Sequence, residues 1–276
     1  MTLDGIAGHF LALHRRDRPL LQPNAWDAGT ARILASLGFE AIATTSAGFA
    51  ATLGRHDGSL TRDEAIAHGA DLVAAVAIPV AADTENGFAD DPAGVADMVT
   101  RAAATGLAGC SVEDYTGRRD DPFYDLAAAK DRIAAAAEAA HRGPVHIVLT
   151  ARAEVVLRGG ELADAIARLQ AYQEAGADVL YAPGIRTAED IRAVVSSVDL
   201  PVNVLVMPGC PPIDELAALG VARVSVGSAF TWAALATLVE SATELLERGT
   251  YDFYDRPAGA DAAINAALHD EEPRSW

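Results

Sequence analysis

Two short acidic motifs, Asp83-Thr84-Glu85 and Glu113-Asp114, each follow an apolar run of strand-forming residues. Asp83, Glu85 and Glu113 then stand at the ends of adjacent strands, with no lysine nearby to neutralise them. Such carboxylates repel one another, and a divalent cation relieves the repulsion. An all-oxygen ligand set completed by water and substrate suits Mg²⁺ or Mn²⁺. The alternative reading is helix caps and surface charge, which is how Asp90-Asp91 before Pro92 reads. Arg152 follows another apolar run. Its guanidinium faces the metal from across the site, where it can grip a carboxylate or stabilise an enolate oxygen, or it pairs with Glu154. The turn from Thr44 through Thr45, Ser46 and Ala47 to Gly48 offers small residues and free backbone N–H groups, which can hold an oxyanion. Asn24, Thr150, Asn203 and Ser225 place further polar groups at or within other strands.

The elements that must position these groups alternate along the chain. Strand-like runs fall at 19–22, 41–44, 79–82, 108–112, 145–149, 178–181, 201–206 and 223–226. Helical segments follow each of them, at 28–37, 62–76, 92–105, 125–141, 161–175, 187–197, 213–219 and 229–247. Several helices end in glycine, as at Gly38, Gly106, Gly176 and Gly220, where the left-handed cap conformation is needed. Eight such units predict an α/β fold of the (β/α)8 barrel type, with the chemistry at the strand C-termini. A doubly wound open sheet is the alternative, but no GxGxxG follows the first strand. Residues 3–14 read as an amphipathic helix covering the barrel bottom. The segment 250–276 is not needed to complete the barrel, and it is expected to pack on a neighbouring subunit. One domain over 1–276 accommodates all of this.

Composition narrows the partners. The 276 residues carry a net charge of −18, which disfavours nucleic acid and anionic membrane as partners. No apolar run suggests a signal peptide or a membrane span, so a cytoplasmic location is expected. The two cysteines, Cys110 and Cys210, form no metal-binding pattern. The only lysine, Lys130, lies in an alanine-rich helical stretch, which excludes Schiff-base chemistry.

Taken together, the motifs resemble the isocitrate lyase / phosphoenolpyruvate mutase superfamily. The resemblance runs from Asn24 to Gly249. It rests on the stretch from Gly38 to Asp57, on Asp83-Thr-Glu85-Asn-Gly87-Phe88, on Ser111-Val-Glu113-Asp114 and on Thr150-Ala-Arg152-Ala-Glu154. Ala175-Gly-Ala-Asp178 and Leu200-Pro-Val-Asn203 complete it. It implies that Asp83 and Glu85 hold Mg²⁺, with Glu113 acting partly through water and Asp57 supporting the metal's waters. It further implies that Thr45, Ser46 and Ala47 bind the substrate carboxylate and that Arg152 contacts the substrate's oxygens. Asn203 is read as a further substrate contact. Relatives of this kind form dimers or tetramers that exchange a terminal helix.

One departure narrows the activity. Lyases of this superfamily that cleave 2-hydroxy acids carry a K-x-C-G loop after the fourth strand. Here the loop is Asp114-Tyr115-Thr-Gly117-Arg118-Arg119-Asp-Asp-Pro122-Phe-Tyr124, with neither lysine nor cysteine. It also lacks the asparagine usual in phosphonate-handling relatives. Cys110 precedes Glu113 and cannot take the missing cysteine's place. The expected function is therefore a Mg²⁺-dependent lyase or decarboxylase cleaving a C–C bond of a small, oxaloacetate-like 2-oxo acid. Phosphoenolpyruvate mutase or phosphonopyruvate hydrolase chemistry is the alternative, and a non-catalytic 2-oxo acid binder is a third reading. Tyr115, Tyr124 and His56 are candidate proton donors. The loop 115–124 is expected to close over the site, with Arg118 and Arg119 available to an anionic substrate.

Overall fold

The computed structural model describes residues 3–143, 145–255 and 259–268. Its sheet contains β1 (Leu20–Gln22), β2 (Asn24–Ala25), β3 (Ile42–Thr44), β4 (Val80–Asp83), β5 (Gly109–Glu113), β6 (Val148–Arg152), β7 (Val179–Tyr181), β8 (Val202–Leu205) and β9 (Arg223–Ser225). All pairings are parallel, and the order runs β1-β9-β8-β7-β6-β5-β4-β3-β2. The two edge segments are consecutive in the chain and separated only by Pro23. That residue lacks an N–H for the ladder, yet its carbonyl still accepts from Ala43 N–H at 2.9 Å. β1 pairs with β9 and β2 pairs with β3, so the sheet closes on itself into the expected barrel.

The helices are α1 (Leu3–Leu13), α2 (Ala28–Ser36), α3 (Ser46–Thr52), α4 (Arg62–Ala75), α5 (Pro92–Ala104), α6 (Leu126–Arg142), α7 (Leu162–Glu174), α8 (Ala188–Ser196), α9 (Ile213–Ala218), α10 (Ala229–Arg248) and α11 (Asp261–Leu268). Side-chain caps set many of the starts: Asp27, Thr45, Thr61, Asp91, Asp125 and Thr187 each accept from a backbone N–H of the first turn. The short helix α3 stands where a turn was expected.

α1 plugs the barrel bottom as anticipated. Phe10 and Leu13 pack with Leu20, Ala41, Ala81, Ala108, Val148 and Val179 at the lower ends of the strands. A side chain at Gly109 would meet Val148 O at 2.7 Å and the Phe10 ring at 3.0 Å, so this strand position must be glycine for the plug to seat. Outside the strands, a larger apolar cluster joins the sheet to α5, α6, α7 and α8.

α11 lies against α2 of its own chain. α10 exposes several large apolar side chains, among them Leu238, Val239, Leu245 and Leu246. Residues 256–258 and 269–276 of the expected tail lie outside those described. Among the described residues, no helix is long and apolar enough to cross a membrane.

Asp114 ties the loop after β5 to the helix layer. Successive strand residues face opposite sides. Glu113 therefore faces the barrel lumen while Asp114 faces α7, where it accepts from Tyr172 Oη (2.6 Å), Arg168 Nη1 (3.1 Å) and Glu154 N–H (2.8 Å). Tyr172, Arg168 and Asp114 are all buried. Removing one charge of a buried pair strands the other. Asp114→Asn should thus cost about 3 kcal/mol of folding stability, read as a lowered denaturant midpoint with an unchanged slope.

Candidate active site

The carboxylates arrive as the sequence spacing requires. Asp83 ends β4, and Glu113 ends β5 beside it. Glu85 sits in the turn after β4 with φ 46°, a left-handed conformation that costs a non-glycine residue energy. Arg132 of α6 holds that turn in place: its guanidinium donates to Asn86 O, to Ala89 O at 2.8 Å and to Glu113 O at 3.3 Å. The Tyr124 ring lies 3.8 Å from the same guanidinium.

Arg152 is not across the barrel from the carboxylates, as expected, but among them. Parallel register makes it the direct neighbour of Glu113. Its guanidinium lies 3.3 Å from Glu113 Oε2, 3.6 Å from Asp83 Oδ1 and 2.5 Å from Glu154 Oε1. Arg158 reaches the other Glu154 oxygen at 3.2 Å. The Glu154 pairing and the site role thus coexist in one cluster.

Burial and mutual repulsion mark these acids electrostatically. Glu85 is pushed up to about 8, first by desolvation and then by Asp83 and Asp57. Glu113 is raised well above the carboxylate range by burial, against the pull of Arg152. Glu85 Oε1 is buried without a hydrogen-bond partner. Among the described residues, no three acidic, histidine or cysteine side chains converge at metal-holding distance, and Arg152 lies between Asp83 and Glu113. Hard oxygen donors, an orphaned carboxylate oxygen and excess negative charge nevertheless fit a divalent cation.

Two cavities adjoin here. The inner one, of about 210 Å³, is lined by Thr44, Thr45, Ser46, Ala47, Asp57, Asp83, Arg152 and Asn203 among others. The outer one, of about 360 Å³, is lined by Asp57, Glu85, Glu113, Tyr115, Arg119, Arg152 and Arg158 among others. Thr45 caps α3, and the Ser46 hydroxyl donates to Asp83 Oδ2 at 3.0 Å, with Asp57 Oδ1 3.3 Å from the same oxygen. The first-turn N–H groups of α3 therefore open beside Asp83. Asn203 faces the inner cavity, but its amide already donates to Ser225 Oγ and accepts from Arg223.

The proton-donor candidates separate. Tyr115 faces the outer cavity with Arg158 3.2 Å from its ring centre. Tyr124 turns away: its hydroxyl donates to Asp90 and accepts from Asn86 at 3.3 Å. His56 is exposed and lines neither cavity. The loop after β5 is pinned by a Tyr115–Phe123 bridge and by Thr116 N–H to Pro122 O at 2.9 Å. Arg118 is spent on Asp90 and Asp121, whereas Arg119 faces the outer cavity. Sequence reading missed Tyr181, Arg158 and Arg223. Tyr181 sits in an apolar run read as strand core, and Arg223 opens a strand whose inward face the sequence leaves ambiguous.

A parallel barrel with an acid-rich, arginine-bridged cavity at its strand C-termini is the plan of a barrel enzyme. The chain belongs to the phosphoenolpyruvate phosphomutase family, which it matches over residues 10–246, within the isocitrate lyase / phosphoenolpyruvate mutase superfamily. A solved lyase/mutase-type protein of Burkholderia cenocepacia J2315 is 49% identical, with TM-score 0.93 and 98% of each chain covered. An oxaloacetate decarboxylase of Pseudomonas paraeruginosa is 29% identical over 87% of this chain and 84% of its own. A phosphonopyruvate hydrolase solved with oxalate and Mg²⁺ is 25% identical, with TM-score 0.82, covering 97% of this chain and 95% of that one.

The raised Glu85 has a consequence for stability. Its folded value lies above its unfolded one, so the metal-free fold bears no penalty below about pH 4.5 and the full penalty above about 8. Metal-free Glu85→Gln should therefore melt higher than metal-free wild type at pH 8.5, with the gap closing at pH 5. Titration calorimetry should show that the same variant has lost Mg²⁺ binding.

Proposed function

We propose that the protein is a Mg²⁺-dependent C–C lyase or decarboxylase acting on a small, oxaloacetate-like 2-oxo acid. The observation that carries this reading is the buried, under-neutralised set Asp83, Glu85 and Glu113 around Arg152, opening onto the N-terminus of α3. Asp83 and Glu85 would hold the ion, with Glu113 and Asp57 ordering its water shell. Once bound, the ion would supply a Lewis acid for the keto group of the substrate.

The chain's own residues do the rest. Backbone N–H groups of Ser46 and Ala47, with the Thr45 cap fixing their direction, receive the substrate carboxylate. The Arg152 guanidinium stabilises negative charge that develops on the substrate's oxygen as the C–C bond opens. Its ties to Glu113 and Glu154 fix its orientation before substrate arrives. Tyr115 faces the same space and can return a proton to carbon. The pinned loop after β5 roofs the outer cavity and limits water entry. The related oxaloacetate decarboxylase and the oxalate- and Mg²⁺-bound relative support the substrate class and the metal. Unpaired Cys110 and Cys210 fit a reducing, cytoplasmic setting. The exposed apolar residues of α10 support a homodimer or homotetramer in which a second copy covers them. The barrel would act as one catalytic domain spanning 1–276, with 250–276 as its accessory end.

Phosphorus–carbon chemistry is the second reading, supported by the matched family and the phosphonopyruvate hydrolase relative. A coupled pyruvate assay separates the two. Oxaloacetate with Mg²⁺ should yield pyruvate and EDTA should stop it, while phosphonopyruvate should release no phosphate. Arg152→Lys should lower turnover about 10²-fold or more. Undiminished turnover after complete metal removal, or phosphate release with no oxaloacetate turnover, would overturn the primary reading.

A further inference from the structure

The inner cavity continues below the carboxylates into the barrel itself. Barrel interiors of this type are usually filled by bulky branched side chains. Here the positions lining the chamber are mostly small or polar: Ala43, Ala81, Ser111, Thr150, Asn203 and Ser225. They leave space where a packed layer would stand. At the floor of that space lies Arg223, whose residue is only 4% exposed.

The surroundings of Arg223 are unusual for a buried cation. Its Nε donates to Asn203 Oδ1 at 2.9 Å, its Nη2 donates to Thr150 Oγ1 at 3.2 Å, and its Nη1 lies 3.1 Å from His14 Nε2. All three partners are neutral, since burial and Arg223 itself push His14 down to about 3. No acidic side chain pairs with Arg223 among the described residues. Buried charges are normally matched by an opposite charge, because desolvation is otherwise uncompensated. Its hydrogen bonds hold the guanidinium in position, and its charge is left for something that enters the chamber.

We propose that Arg223 is a binding site for the second carboxylate of the substrate, so that the natural ligand is a diacid anchored at both ends. The first carboxylate and the 2-oxo group stay at the upper level, near α3, Asp83 and Arg152. Thr150, which touches Arg223, and Arg152 are two residues apart on β6 and face the same way. That separates the two levels by about 7 Å at roughly 3.3 Å per residue. With C–C bonds near 1.5 Å, a five-carbon diacid places its terminal oxygens about 7 Å apart. The hydroxyls of Ser111, Thr150 and Ser225 offer polar contacts between the anchors.

The inference rests on the 2-oxo acid reading only for the head of the ligand, and the test separates the two. Affinities of 2-oxoglutarate and 2-oxovalerate, equal in length and differing in the distal charge, are measured by calorimetry on the Mg²⁺-loaded protein. Wild type should bind 2-oxoglutarate about tenfold more tightly or better, as a charged hydrogen bond allows. Arg223→Gln, shown folded by circular dichroism, should bring that ratio close to one. A wild-type ratio near one overturns the inference without recourse to any variant, as does a ratio unchanged in folded Arg223→Gln. If neither 2-oxo acid binds, the functional reading itself fails. Glutarate and valerate then decide the floor site alone: a preference for glutarate that Arg223→Gln removes upholds it, and no preference overturns it.

Discussion

The arrangement of this site follows from one charge imbalance. Asp83, Glu85, Glu113 and Glu154 crowd around Arg152 and Arg158, so four carboxylates meet two guanidiniums. Arg152 bridges Asp83, Glu113 and Glu154 and keeps them from scattering, but it cannot satisfy all of them. Glu85 pays for the shortfall in its raised proton affinity and its unpartnered oxygen. A site under this electrostatic load gains more from binding a cation than a neutral site would, because binding relieves a repulsion already built into the fold.

Holding like charges together needs rigid supports, and the chain supplies them from outside the barrel. The strained turn that carries Glu85 has its carbonyls gathered by Arg132, itself packed under the Tyr124 ring. The loop beyond Glu113 is anchored through Asp114 to Arg168 and Tyr172 on α7. Arg132, Arg168 and Tyr172 are thus buried polar side chains that reach from helices to strand ends, and hydrogen bonds of this kind add rigidity. The strain at Glu85 is thus stored locally and balanced by hydrogen bonds a few residues away.

The sequence disclosed the frame and the acids more readily than the cations. Helix caps, terminal glycines and alternating apolar runs made the barrel legible, and strand-end position singled out Asp83, Glu113 and Arg152. What periodicity could not supply was register. Only the parallel pairing of Glu113 with Arg152 shows that the arginine bridges the carboxylates rather than opposing them. Tyr124 and Arg118 looked like site residues because the loop is short and polar, yet both are drawn outward to Asp90. Conversely, Arg223 opens a three-residue strand, too short for alternation to say which way it points. Pro23 hid a further point: it splits the first strand into β1 and β2, and the two halves close the barrel on opposite sides.

The loop after β5 lacks the lysine and cysteine found in relatives that cleave 2-hydroxy acids, and in this chain it is fastened down by its own backbone. Such a loop can roof a site, but with Arg118 committed to Asp90 and Asp121 it offers little beyond Tyr115 and Arg119 to distinguish one ligand from another. Discrimination then has to come from surfaces that do not move, and the polar chamber beneath the carboxylates is one such surface continuous with them. Its walls are strand side chains fixed by the sheet, and Asn203, Ser225 and Arg223 are already bonded to one another before any ligand arrives. Pre-formed donors lose little entropy on binding, so a ligand that matches their spacing is favoured over one that must be fitted by loop closure. Selectivity in this chain therefore follows from what was left out of the barrel interior, where small residues stand in place of a packed layer.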